Sequence, residues 1–346
     1  MTQWAVVLAG GVGSRFWPLS TPQRPKQFLP LVDHEPMLAA TLRRLAPIAD
    51  AAHTLVLTNA ALVAGTSELL PQLPAENVIA EPRPAGTAAA LAWAASEIER
   101  RDGPDAIMTC VHADWTIRDE RAFADTLRRA GDVARQHHAL VTVGIVPTRA
   151  ETGFGYIQPG AAVDAGGEAR HVARFVEKPD RARAERMVAD GYLWNSGIFT
   201  WRVGDFLDEV RALAPEVAPA LDAANGDLTR FFGAVRAVSV DVGVLERSQR
   251  VMVVPGDFGW DDVGTWAALR RVRARDAEGN ATSGAVHALD ATGNVVHAEG
   301  NAVVLYGVDD LVVVTRNGLT LVTTVARSAD LKTLIDTLPE TLRDRA

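Results

Sequence analysis

The sequence predicts an α/β protein with a mostly parallel nucleotide-binding sheet, helices on both faces, and a small β-rich C-terminal domain. Short apolar runs alternate with longer helical patterns through the first half of the chain. The first apolar run ends directly in three glycines, and after about residue 276 the texture changes to short β-rich runs divided by Gly, Asn and Asp. We therefore expect a catalytic domain over 1–275 and a small domain over 276–346.

The alternation places the elements in order. We expect strands at 4–8, 54–57, 78–79, 106–111 and 140–146, with helices at 37–46, 60–70, 87–100 and 120–137. The middle is more mixed, with strands near 156, 172–176 and 198–201 and helices at 181–189 and 203–213. Runs at 286–289, 295–297, 302–305, 311–314 and 319–322 predict stacked coils or a small meander, closed by a helix at 331–338.

Composition excludes several classes of protein. The chain has 346 residues, 48% of them hydrophobic and 23% charged, as in ordinary soluble globular proteins. A net charge of −8 argues against general nucleic-acid binding, which favours a basic surface. The lone Cys110 excludes an internal disulfide, and the first apolar run is too short to span a membrane. We expect a cytoplasmic protein with no membrane or nucleic-acid partner.

The loop after the first strand has the composition of a phosphate site. Glycines allow backbone N–H groups to approach an anion closely, and the first 32 residues contain Arg15, Arg24 and Lys26 but no acid. A Walker A loop is absent from the sequence, and the glycine spacing does not fit a dinucleotide fingerprint. An ordinary turn with incidental glycines is the alternative to a triphosphate cradle. The predicted nucleotide-binding residues of the loop are Leu8, Gly10, Gly11, Gly13, Ser14, Arg15 and Lys26.

Two acidic positions suit a hard cation. Asp114 follows the apolar run 106–111, and Asp261 and Asp262 stand together before a helical segment. Carboxylate oxygens are the ligands that Mg²⁺ prefers, and Mg²⁺ usually takes few ligands from protein. From the residues alone, each aspartate could instead be a helix-capping residue. Similarly, the exposed pair Glu177-Lys178 could be an ordinary surface pair.

Taken together, the motifs resemble those of sugar-1-phosphate nucleotidylyltransferases. The segments 15–20 (Arg-Phe-Trp-Pro-Leu-Ser) and 25–28 (Pro-Lys-Gln-Phe) look like the mannose-1-phosphate guanylyltransferase branch. Further matches lie at 152–157, 175–179, 194–199 and 258–266, and more weakly at 239–241, so that the resemblance covers about 4–338. The base-recognition segment at 81–88 matches only in part, and His112 and Trp115 depart from the family pattern around Asp114.

The resemblance implies transfer of GMP from GTP to α-D-mannose 1-phosphate, with Mg²⁺ as cofactor. It assigns catalytic roles to Arg15, Lys26 and Lys178 and makes Asp114 and Asp262 the metal ligands. It adds Glu81, Arg83 and Thr87 to the nucleotide-binding residues. For the sugar phosphate it implies Asp114, Gly153, Tyr156, Glu177, Lys178 and Asn195.

Other functions remain open at this point. The same motifs would serve a different sugar 1-phosphate or another base, or a catalytically inactive nucleotide-sugar sensor. The joint presence of Arg15, Lys26, Asp114, Lys178 and Asp262 argues against the sensor, which has no need of both metal ligands. The chain is shorter than family members that carry an additional isomerase domain. The sequence also leaves open whether the protein forms a homodimer.

Overall fold

The computed structural model describes residues 2–11, 13–163 and 168–343. Their contacts divide the chain into two compact units, and neither unit is continuous in sequence. The first unit comprises Met1–Gly10, Arg43–His112 and Ile117–Gly259. The second comprises Gly11–Leu42, Ala113–Thr116 and Trp260–Ala346. The boundary expected at residue 275 stays a prediction.

In the described part of the first unit, nine strands form one sheet in the order β3-β2-β1-β4-β8-β5-β9-β7-β6. The strands are β1 (Gln3–Leu8), β2 (Thr54–Asn59), β3 (Val78–Glu81), β4 (Ile107–His112), β5 (Leu140–Ile145), β6 (Tyr156–Ala162), β7 (Arg170–Val176), β8 (Leu193–Arg202) and β9 (Val251–Gly256). Strands β3, β2, β1 and β4 are parallel, as are β5 and β9. The predicted α/β fold is confirmed. The sheet is mixed rather than mostly parallel, because β8 runs antiparallel between β4 and β5 and the pairs β9–β7 and β7–β6 are also antiparallel.

The helices of the chain are α1 (Met37–Leu45), α2 (Val63–Leu69), α3 (Gly86–Asp102), α4 (Glu120–His137), α5 (Arg181–Ala189), α6 (Val203–Leu213), α7 (Ala218–Ala224), α8 (Leu228–Ala234), α9 (Trp266–Val272), α10 (Leu331–Thr337) and α11 (Glu340–Arg343). Helices α2 to α8 belong to the first unit and α9 to α11 to the second. Helices of the first unit cover both faces of its sheet. Met108 shares a core with α3 and α6, whereas the neighbouring Ile107 lies against Gly131 of α4. Because successive strand residues point to opposite faces, α3 and α4 cover different faces.

Three elements of the first unit were missed by the sequence patterns. Strand β9 is an apolar run that contains Pro255, and proline weakens the strand pattern. Helices α7 and α8 are only seven residues each. Their periodicity is too short to distinguish them from loop, and their stability comes from the buried side chains of Leu221, Phe231 and Phe232.

The second unit contains the β-rich C-terminal strands. They are β10 (Ala281–Ser283), β11 (Val286–Leu289), β12 (Val295–Ala298), β13 (Val303–Tyr306), β14 (Leu311–Arg316) and β15 (Leu319–Thr324). Strands β10, β12 and β14 pair in parallel, β11 pairs in parallel with β13, and β15 closes the stack antiparallel. These pairings correspond to the stacked coils of the prediction and not to a meander.

The loop that follows β1 belongs to the core of this second unit. Phe16, Trp17 and Leu19 are buried in one cluster with Trp266 and Val312. The Phe16 and Trp266 rings lie 5.2 Å apart, between their centroids. The phosphate-loop segment is therefore held by C-terminal strands that are distant in sequence. Over the described ranges, no helix is both long and apolar enough to cross a membrane.

Candidate active site

The glycine loop leaves open space at two positions and packs tightly at a third. A Cβ added to Gly10 or to Gly11 would meet no atom within 4 Å. Gly13 has a φ of +66°, and a Cβ there would lie 2.3 Å from the Cβ of Lys26. The Ser20 hydroxyl donates to the Gly13 carbonyl at 2.6 Å and fixes this turn. Only glycine allows the loop to approach Lys26 so closely. The side chain of Ser14 lies outside the described part.

Lys26 connects three segments of the second unit. Its side chain is 4% exposed, and its Nζ lies 3.2 Å from Asp114 Oδ2. The same ammonium donates to the carbonyl oxygen of Asp262 at 2.9 Å. A buried ammonium is stable only when paired in this way, because desolvation of the charge is costly. The structure thus brings Lys26, Asp114 and the main chain of Asp262 together.

Arg15 adds a second positive charge to this group. Its Nη1 donates to the Gly264 carbonyl at 3.3 Å. A Cβ at Gly264 would lie 2.5 Å from Asp262 Oδ2 and 3.3 Å from Arg15 Nη1, so the glycine permits their close approach. We call Arg15, Lys26, Asp114 and Asp262 the cation–carboxylate cluster.

The neighbouring aspartates occupy different environments. Asp261 is buried, its carboxylate lies 3.2–3.3 Å from the Arg271 guanidinium, and it accepts from the Val263 N–H at 3.2 Å. Its backbone also pairs with Thr116 at 3.0 and 3.1 Å. These contacts make Asp261 a structural residue. Asp262 is half-buried instead; its main-chain carbonyl accepts from Lys26 and its Oδ2 lies next to Gly264.

The backbone next to Asp262 is strained. Val263 is fully buried at a φ of +48°, a conformation that β-branched residues rarely adopt. Lys178 is also left-handed, with a φ of +40°. The other left-handed residues besides glycine, over the described ranges, are His, Asn or Asp, which tolerate this conformation better. Strained residues of this kind concentrate at functional sites.

A second polar group lies in the first unit. The Asn195 side-chain amide donates to Asp241 Oδ1 at 2.7 Å. Burial raises the pKa of Asp241, whereas the Asn195 hydrogen bond and the nearby His112 oppose this rise. Glu177 contributes through its negative charge, which also raises the pKa. We call His112, Glu177, Asn195 and Asp241 the Asp241 cluster.

Two glycines allow the backbone to pack closely against the Asp241 cluster. A Cβ at Gly155 would lie 3.0 Å from Glu177 Oε2. Gly197 has a φ of +71°, and a Cβ there would lie 3.0 Å from the His112 ring. The resemblance at 239–241 pointed to this segment, but the bond between Asp241 and Asn195 joins residues 46 apart in sequence. Sequence reasoning had not included Asp241 or His112 among the binding residues.

The remaining predicted sugar residues have distinct surroundings. Lys178 is 63% exposed, and its Nζ lies 2.9 Å from Glu177 Oε1. The Tyr156 hydroxyl is occupied by the backbone of Glu151, to whose carbonyl it donates at 2.9 Å and from whose N–H it accepts at 2.9 Å. Gly153 donates its N–H to the Glu151 carboxylate at 3.2 Å. Tyr156 and Gly153 therefore shape the 151–156 loop.

The predicted base segment is tied to the chain that precedes Asp241. Arg83 donates to the carbonyl of Val235, and the Thr87 hydroxyl accepts from the Val240 N–H at 2.9 Å. Glu81 lies at the end of β3, where burial raises the pKa of its carboxyl to about 7.

Comparison with known proteins gives the class. The model of the nucleotidyl transferase family matches residues 4–279. The chain belongs to this family of nucleotidyl-transferring enzymes.

Its relatives define the branch. The chain is 39% identical to a mannose-1-phosphate guanylyltransferase of Escherichia coli K12, with 96% of this chain and 73% of the relative covered. It is 38% identical to the xanthan biosynthesis protein XanB of Xanthomonas campestris, covering 99% and 74%. A crystal structure from Thermus thermophilus, described as a mannose-1-phosphate geranyltransferase, matches with a TM-score of 0.89 and 32% identity, covering 97% and 99%. The resemblance to the mannose-1-phosphate guanylyltransferases is confirmed.

Proposed function

We propose that this enzyme transfers GMP from GTP to α-D-mannose 1-phosphate, giving GDP-mannose and pyrophosphate. The family and the names of the relatives support the substrates. The cation–carboxylate cluster carries the proposal. In it, Arg15 and Lys26, which follow the glycine loop in sequence, come together with Asp114 and Asp262. Positive charge for a triphosphate and carboxylates for a cation are what nucleotidyl transfer requires.

The chemistry needs positioning and charge neutralisation more than a general base. A phosphate monoester oxygen of the sugar phosphate is already anionic at neutral pH. It attacks the α-phosphorus of GTP in line, the new O–Pα bond forms, and the bond to the β-phosphate oxygen breaks as pyrophosphate leaves. We assign Arg15 and Lys26 to the negative charge of the triphosphate and of the leaving pyrophosphate.

The cluster also fits a divalent cation, which enzymes of this family generally use. Asp114 and Asp262 supply hard carboxylate oxygens, and both residues already contact the ammonium of Lys26. No group of three or more His, Cys, Asp or Glu side chains suited to a metal occurs over the described ranges. A site with few protein ligands suits Mg²⁺, which retains water and substrate oxygens. Bound there, Mg²⁺ would act as a Lewis acid and a template for the phosphates.

For the sugar we assign the Asp241 cluster and Lys178. Glu177 would accept hydrogen bonds from sugar hydroxyls, and Asn195 would also bind hydroxyls through its amide. Lys178 would bind the sugar phosphate as a point charge. Asp241 acts as a positioning residue, because its oxygen fixes the Asn195 amide at 2.7 Å.

For the base we assign Glu81. Guanine presents two adjacent donors, N1–H and the 2-amino group, and an ionised carboxylate accepts from both. Adenine presents an acceptor at N1, which a carboxylate repels. Arg83 and Thr87 would support the segment through their bonds to 235–240.

Measurement of pyrophosphate release across the four NTPs and several sugar 1-phosphates tests this proposal. GTP with mannose 1-phosphate should be the fastest pair. Pyrophosphate release ten times faster with dTTP or ATP than with GTP would overturn the base assignment. Release ten times faster with another sugar 1-phosphate than with mannose 1-phosphate would overturn the sugar assignment. A cytoplasmic location and a homodimer stay predictions from the sequence.

A further inference from the structure

A second group of positive side chains lies in the second unit, apart from the cation–carboxylate cluster. Arg24 closes the turn before the Lys26 segment, and Arg273, His297 and Arg316 come from the C-terminal part of the chain. The acid that the structure places among them is Glu299. We call these five residues the arginine group. Arg24 and Arg316 lie near the Glu299 carboxylate, and Arg273 lies behind them against His297, in a protein whose net charge is −8.

The donors around Glu299 lie too far away to bond to it. Its carboxylate is 3.8 Å from Arg24 Nη1, 3.6 Å from Arg316 Nε and 3.9 Å from His297 Nε2. Hydrogen bonds of this type need about 2.7–3.2 Å. The carboxylate is thus surrounded by donors without satisfying them.

The deeper side of the group is positive and incompletely paired. Arg273 is 8% exposed, its Nε donates to the Leu31 carbonyl at 2.5 Å, and its buried Nη1 has no hydrogen-bond partner within the described part of the chain. Burial and the three arginines lower the pKa of His297 to about 4. At neutral pH, His297 is therefore an uncharged ring whose Nδ1 lies 3.4 Å from Arg273 Nη2. Burial, followed by the positive charge of Arg24, lowers the pKa of Arg316, and the charge of Glu299 opposes this shift.

We propose that the arginine group is a second anion site, in which a phosphate-class dianion replaces the Glu299 carboxylate between Arg24, Arg316 and His297. Guanidinium groups match the oxygens of a tetrahedral oxyanion, and a dianion neutralises two of the three arginine charges. Its three or four oxygens would engage donors that the two carboxylate oxygens leave unbonded.

Bound anion at this site would act on the phosphate loop. Arg316 Nη1 donates to the Leu19 carbonyl at 2.8 Å, and Arg24 is two residues from Lys26. An anion that ties Arg24 to Arg316 therefore holds the 19–24 segment at both ends. This inference is independent of the proposed substrates, because none of its residues belongs to the cation–carboxylate or Asp241 clusters.

Isothermal titration with inorganic phosphate at constant ionic strength tests the site. The full chain is used on an Arg15→Gln background, which weakens phosphate binding at the glycine loop. Adding Arg24→Gln should weaken phosphate binding about tenfold or more, since one charge-assisted bond is lost. Adding Glu299→Gln should strengthen it, because a competing carboxylate is removed. Arg327→Gln is the matched control, because substitution of this exposed arginine removes one positive charge from the same unit.

The direction of the Glu299→Gln effect is the decisive result. Stronger phosphate binding in Glu299→Gln together with weaker binding in Arg24→Gln supports the site. A parallel titration with glycerol phosphate shows whether free phosphate or a phosphomonoester is the better ligand. Weaker binding in Glu299→Gln, an equal loss in Arg327→Gln, or no binding of either anion on the Arg15→Gln background would overturn it. Arg24 is partly exposed and its ion pair is long, so its substitution should not disturb folding.

Discussion

The adjacent carboxylates Asp261 and Asp262 should separate stability from catalysis. Asp261→Asn removes the ion pair with Arg271, whose side chain is 37% exposed, and keeps an oxygen for the Val263 N–H. We expect a loss of about 1.5 kcal/mol, at the lower end for a bond to a charged group because solvent screens Arg271. Tm should fall by a few degrees, while kcat per folded molecule stays near wild type.

Asp262→Asn should have the opposite profile. It removes one of the two carboxylates assigned to the cation, whose Oδ2 lies next to Gly264 near Arg15 Nη1, and it leaves the main-chain carbonyl that accepts from Lys26. Asp262 is only half-buried. We expect kcat to fall about 100-fold or more, as for the loss of one electrostatic stabiliser, with activity requiring more Mg²⁺ and Tm nearly unchanged.

The assay is pyrophosphate release titrated against Mg²⁺ for both variants, with a thermal melt of each. Equal losses of activity in the two variants would refute the reasoning. So would a fall in Tm of Asp262→Asn large enough to explain its loss of activity.

Three further predictions follow from the assigned roles. Lys178→Ala should raise KM for mannose 1-phosphate by about 30-fold or more with KM for GTP unchanged, since one phosphate contact is lost, and Lys332→Ala on α10 is the exposed control. KM for GTP should fall as pH rises through about 7, because Glu81 is protonated below that pH and only the ionised carboxylate accepts from both guanine donors. Glu81→Gln should remove this dependence, and Glu76→Gln should keep it. Asp241→Ala should raise KM for the sugar phosphate while sparing KM for GTP, because Asn195 loses the acceptor that orients it, whereas an equal rise in both constants would indicate a general loss of structure.

Much of the first unit is readable from local sequence pattern. Apolar runs and amphipathic stretches define β1–β5 and α3–α4, and alternating strands and helices predict that β3, β2, β1 and β4 are parallel. The order of the strands in the sheet was not predicted. The insertion of β8 between β4 and β5 was not predictable in this way. It depends on pairings such as Cys110 with Phe199, far apart in sequence, which no local period records.

The candidate site shows the same division. Gly13, Lys26, Asp114 and Asp262 stand in motifs that point to phosphate and cation chemistry. The structural task of Asp261 could not be predicted, because it depends on the Thr116 bridge and on Arg271. Tyr156 stands in a motif that predicts sugar binding, but the bonds between its hydroxyl and the Glu151 backbone could not be predicted from that motif.

The most direct test of the proposed reaction follows oxygen atoms. The enzyme is incubated with GTP, Mg²⁺ and mannose 1-phosphate that carries ¹⁸O at its three non-bridging phosphate oxygens. The masses of the products are then measured by mass spectrometry. Attack of the sugar phosphate on the α-phosphorus predicts GDP-mannose that retains all three labelled oxygens, and pyrophosphate without label. Label in the pyrophosphate, loss of label from GDP-mannose, or absence of GDP-mannose would contradict the account.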